Sequence, residues 1–305
     1  MTRTGSPATA RTPTNDETRT VTPALTIYNE ADSSDAVAER VERLLRVAAP
    51  LAERHSRLPL PTEITVSLVH PDGFVDLMAE HAEAAGHRAA ATFPDDSTER
   101  AALLAGIEGG RTATGTGAAR SWPGVRAATA LRLDGSLELV VIPAALSATR
   151  ATDRNLVGAF THELTHCAQL RIWPTMPWQH LISGARVQVA GLPQDQTVAS
   201  QYVFEGHAQW VQRNAMVEYC GQAEIDRIDG EPVPSNLLLL GQEQLRARRG
   251  PYDVGEAFMA ALDDLGGHDL VLRLLTDPDQ LPTIAQITGT DPAVLAKTYA
   301  DTAAG

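Results

Sequence analysis

Residues 160–170 read FTHELTHCAQL, and within them His162-Glu163-Leu164-Thr165-His166 forms an H-E-x-x-H. On an α-helix two histidines four apart stand about 40° from one another around the axis, so both imidazoles can reach one ion. The intervening Glu163 lies roughly 60° from His166, which sets a carboxylate beside a metal-activated water. Leu156, Val157, Phe160, Leu164, Cys167 and Ala168 add an apolar stripe, so a buried helix is expected near 153–171. Core histidines without a metal would each need their own hydrogen-bond partners. Thr161 and Thr165 suit packing or back-bonding to the helix, and Cys167 reads as a small buried hydrophobe rather than a fourth ligand.

Working outward, the first 22 residues are rich in Thr, Ser, Pro and Arg and cannot offset the entropy of ordering, so they read as a disordered tail. Val37, Val41, Leu44, Leu45, Val47, Ala48 and Leu51 have helical spacing from Asp35 to about Arg57, where RLPLP stops the helix. Residues 63–69 (EITVSLV) alternate as a strand does, and helical spacing returns from Asp72 to about Ala85. The glycines of 106–117 have neither the context nor the spacing of a nucleotide loop and read as a surface loop. AATALRL and SLELVVI flank Asp134-Gly135, which predicts a β-hairpin with one strand edging the active cleft. After Thr152 the chain reads as mainly helical, with further helices near 178–189, 198–220, 253–265, 268–276 and 291–302. The division is thus a tail (1–22), an α/β part (23–150) and a helical metal-binding part (151–305): an α+β fold.

Composition narrows the function. With 305 residues, 43% of them hydrophobic, the chain can build a large core. No apolar run is long enough for a membrane span. A balance of 25 basic against 38 acidic residues argues against gripping phosphate backbones, so no nucleic-acid partner is expected. Cys167 and Cys220 are too few for a disulfide framework, and the N-terminus has no apolar signal region. Both point to a reducing, cytoplasmic setting.

A catalytic zinc takes three protein ligands and leaves one position for water. Downstream, His180, Glu205, His207 and Glu218 are open as the third ligand, and Gly206 would let the helix of Glu205 approach another closely. If 198–220 is helical, Glu205 and His207 project about 160° apart, so at most one faces the metal, and periodicity does not choose between them.

HELTHCAQL (162–170), MPWQHL (176–181), EGHA (205–208), GQEQLRARRG (241–250), YDVGEAFMAAL (252–262), GGHDLVLRLLTDPDQLPT (266–283) and a final DP (291–292) follow in order. In this the chain resembles the zincin-like metallopeptidases common in actinobacteria, of the group in which a glutamate completes the site. The resemblance covers roughly residues 150–300. It implies a zincin-like fold with a small sheet packed on the H-E-x-x-H helix, His162, His166 and Glu205 as ligands of Zn2+, and Glu163 as general base. Tyr252 could stabilise an oxyanion, as a tyrosine or histidine does in many zincins; a structural role is the simpler reading. His180 fits a cap or cleft wall, His207 a packing or ligand-supporting role, and Arg246, Arg248 and Arg249 a solvated face.

The expected function is zinc-dependent hydrolysis of a peptide or other amide by a metal-activated water. Two rivals stand beside it: metal-dependent tailoring of a secondary metabolite on a zincin scaffold, and an inactive zincin acting as a binding module. The complete H-E-x-x-H weighs against the last.

Overall fold

Four strands form the sheet: β1 (Ala24–Asn29), β2 (Glu63–Leu68), β3 (Ala127–Leu131) and β4 (Leu137–Val141), in the order β1-β2-β4-β3. The computed structural model describes residues 23–125, 127–146, 152–172, 195–229 and 250–276, and of 195–202, 226–229, 250–254 and 257 only the backbone. β1, β2 and β4 run parallel, and β3 pairs antiparallel with β4. The β3–β4 turn is the expected hairpin: Gly135 has φ 91°, a left-handed conformation suited to glycine, and Asp134 Oδ1 accepts from the Ser136 N–H at 2.8 Å.

Alternation along the strands decides which helices cover which face. Ile64, Val66, Leu68, Ala127, Leu139 and Val141 share one core with Leu44 and Leu45 of α1 (Asp35–Ser56) and with Phe160 and Leu164 of α5 (Asp153–Ile172). Ala130 and Val140 point the other way, into a second core with Phe74 and Leu77 of α2 (Pro71–Ala90) and Ala118 of α3 (Thr98–Ser121). A 3-10 turn (Trp122–Gly124) leads into β3, and the short α4 (Pro143–Leu146) follows β4. α6 (Asp195–Cys220) packs on α1 and α5, α7 (Gln222–Asp229) follows it, α8 (Gly250–Gly266) lies along α6, and α9 (His268–Leu275) folds back on α8. The architecture is α+β, with a small mixed sheet, mostly helical content and one core that runs continuously from the N-terminal elements into α5 and α6.

Two elements depart from the sequence reading. Residues 106–117 are not a loop but the middle of α3. Each interior glycine costs about 1 kcal/mol against alanine. Tertiary packing outweighs this: α3 lies along α2, with Gly115 facing Val75 and Ala79, and Ser97 caps its start by accepting from Arg100 N at 3.1 Å. Gly106, Gly109, Gly110 and Gly117 face open space. Strand β1, directly after the expected tail, has no counterpart among the expected elements; it pairs in parallel register with β2. The tail and the helices expected near 178–189 and 291–302 lie outside the described residues.

Candidate metal centre

α5 is buried along its whole apolar stripe: Leu156, Val157, Phe160, Leu164, Cys167 and Ala168 are all at most 1% exposed. That burial fixes the rotation of the helix and leaves His162 and His166 together at the edge of the core, 7% and 6% exposed. Their Nε2 atoms lie 3.0 Å apart, with the rings nearly perpendicular at 86°. Glu205 arrives from α6, its Oε2 3.3 Å from His162 Nε2 and 3.4 Å from His166 Nε2. Thr161 and Thr165 bond back to the helix carbonyls of Val157 and Thr161, each at 2.8 Å, the second of the two roles their residue type suits.

The three donor atoms fit a metal ion. In a tetrahedral zinc site bonds of roughly 2.0–2.2 Å put neighbouring ligand atoms about 3.3–3.6 Å apart. The observed triangle of 3.0, 3.3 and 3.4 Å is close to one face of such a tetrahedron. Two imidazoles and a carboxylate are also the donor chemistry a catalytic zinc takes, and among the described residues this is the one such convergence of three His, Cys, Asp or Glu side chains. Cys167 is not part of it, and its Sγ lies 3.9 Å from Thr129 Oγ1.

One turn of α6 supplies most of the surroundings. The Phe204 ring stacks on His166 at 4.2 Å. Gln169, a turn after His166, contacts His166 Nδ1 through Oε1 at 2.7 Å, while its Nε2 donates to the Phe204 carbonyl and contacts His207 Nδ1, both at 3.0 Å. Gly206 lies against α8: a Cβ there would come within 2.3 Å of Gly255 Cα, so the close helix approach expected at this glycine is present. His207 is wholly buried near Trp210, and Trp210 in turn neighbours His268.

Glu163 faces a cleft of about 330 Å³. Phe74, Met78, Thr129 and Phe204 line it together with His162, His166 and Glu205. β3 is the edge strand of the sheet and lines this cleft, as anticipated for one strand of the hairpin. From it Thr129 Oγ1 reaches Glu163 Oε2 at 3.0 Å and the Glu163 carbonyl oxygen at 2.9 Å.

Charge within the cluster is strongly coupled. Burial pushes the His166 pKa down, but the Glu205 and Glu163 carboxylates outweigh it and raise it to about 9. Burial pushes Glu205 up, yet the adjacent His166 and His162 hold its carboxyl well below the usual carboxylate range. His207 is pushed down to about 3 by burial and by the like charges of His268, His166 and His162, so it stays neutral. Burial raises the Cys167 thiol to about 12, in keeping with an inert core residue.

The remaining sequence candidates divide clearly. Glu218 is remote from the cluster, at the surface with Arg54 and His55. His207 touches Gln169 rather than the ligand triangle. Tyr252 falls within α8, but its side chain lies outside the described residues, as do His180, Arg246, Arg248 and Arg249. Sequence reasoning passed over Gln169 and Thr129. Gln169 carried a usable signal, a polar residue three positions after His166 on the same helix; Thr129 carried none, because a strand threonine is ordinary. No protein-family model, curated protein or solved structure matches the chain.

Proposed function

We propose that the chain is a metallohydrolase of the zincin type that cleaves a peptide or related amide, with Zn2+ held by His162, His166 and Glu205. The observation that carries this reading is the convergence of the three donor atoms within 3.0–3.4 Å in the lining of a cleft that Glu163 also lines. Zinc, when bound, supplies Lewis acidity and lowers the pKa of a coordinated water to about 7. Glu163 takes a proton from the attacking water as the new C–O bond forms, and delivers it to the nitrogen as the C–N bond breaks. Thr129 restrains the carboxylate at the strand side. The edge of β3 offers backbone groups to an extended chain, and Phe74, Met78, Leu170 and Phe204 give apolar wall to its side chains, which favours a peptide over a small polar substrate.

Elemental analysis of protein purified without added metal is the decisive test. One zinc per chain in the wild type, and loss of that zinc in His162→Ala, His166→Ala and Glu205→Ala, is expected. Unchanged metal content in the three variants would overturn the reading.

A further inference from the structure

We infer that Gln169 is the positioning residue of this centre: its amide places the His166 proton on Nδ1, presents Nε2 as a lone pair, and ties that setting to the helix carrying Glu205. The inference rests on the metal-centre reading above and concerns a residue outside the ligand set.

A backbone carbonyl can only accept a hydrogen bond, and Gln169 Nε2 lies 3.0 Å from the Phe204 carbonyl oxygen. This contact fixes the amide, with the NH2 group toward α6 and Oε1 as the acceptor. Oε1 is 2.7 Å from His166 Nδ1, so Nδ1 must carry a hydrogen and donate it. The proton that His166 gives up when a metal binds is therefore the one on Nε2, which leaves the lone pair on the atom 3.4 Å from Glu205 Oε2 and 3.0 Å from His162 Nε2. The second hydrogen of the amide is directed to His207 Nδ1, also at 3.0 Å, which makes that atom an acceptor. Gln169 is 1% exposed, so water does not compete for these bonds. A single carbonyl on α6 thereby sets the donor pattern of two histidines on two helices, and Phe204, whose carbonyl it is, immediately precedes Glu205 and stacks on His166.

The test compares wild type, Gln169→Leu and Gln169→Glu. Glutamate keeps an acceptor facing Nδ1 and loses the bonds to Phe204 and His207, whereas leucine loses all three. Zinc affinity, read by competition with a chromophoric chelator, should fall about 10- to 100-fold in Gln169→Leu and recover most of the way in Gln169→Glu. Long-range ¹H–¹⁵N spectra of the zinc-loaded wild type should show His166 protonated at Nδ1, in slow exchange with water, and faster exchange in Gln169→Leu. Wild-type affinity in Gln169→Leu, equal losses in both variants, or a His166 proton on Nε2 would overturn the inference. Should Gln169→Leu not fold, the tautomer in the wild type and the affinity of Gln169→Glu decide. A wild type that takes up no zinc overturns the metal-centre reading itself, a result distinct from all of these.

Discussion

Thr129 Oγ1 lies 3.0 Å from Glu163 Oε2 and 2.9 Å from the carbonyl oxygen of the same residue. A hydroxyl has one hydrogen, so it alternates between restraining the carboxylate and capping the helix carbonyl. Thr129→Val keeps the shape and removes that hydrogen. The expected result is an about tenfold lower kcat with unchanged zinc content, while Thr129→Ser stays near wild type. Steady-state kinetics with parallel metal analysis would check it.

Glu163→Gln is nearly isosteric and cannot accept a proton. It should keep the metal and lose about 10²- to 10⁴-fold in kcat, with little change in KM. Cleavage of a peptide library by the two proteins is the measurement, and full turnover by the variant would remove Glu163 from the mechanism.

Gly206→Ala should destabilise the fold by about 1–3 kcal/mol, because the new Cβ would meet Gly255 backbone rather than a side chain that can move. Gly109→Ala is the matched contrast. That position faces open space on α3, and the substitution should stabilise by up to about 1 kcal/mol. Urea unfolding of both variants gives opposite signs if the packing is as described.

Asp153, in the first turn of α5, is held below the usual carboxylate range by hydrogen bonds from Arg43 and Arg40. A folded-state pKa below the unfolded one contributes stability that is present above about pH 4 and is lost as the pH falls through the folded value. Asp153→Asn should therefore cost most near neutrality and approach wild type in acid. Both ion pairs are at least partly open to solvent, so the difference should be under about 1 kcal/mol and shrink with added salt. Urea midpoints measured from pH 3 to 7 would show it.

How far the sequence could be read depended on the range of the interaction behind each feature. The H-E-x-x-H helix and the Asp134-Gly135 hairpin are local patterns, a four-residue spacing and a two-residue turn, and both appear where expected. Glu205 was legible only with the help of resemblance, since the helix alone left it level with His207. The spacing of Gln169 from His166 is local and legible, but the Phe204 carbonyl that orients its amide and the Glu163 that Thr129 reaches lie 35 and 34 residues away in sequence, which no periodicity encodes. α3 is illegible in its own glycines, which report weak intrinsic helicity, whereas its helix is held by contact with α2.

Two of the three donor atoms stand four residues apart on α5, and the third comes from α6, 39 positions beyond His166. An ion bridging them is a reversible cross-link that closes a long stretch of chain, and the unfolded ensemble has no comparable site to offer it. Occupancy and conformational stability are then one equilibrium. At free zinc a hundredfold above the dissociation constant, the native state should gain about 2.7 kcal/mol. The melting temperature becomes a zinc titration curve, and a strong chelator should lower it just as far in a Glu163→Gln protein, whatever turnover that variant retains.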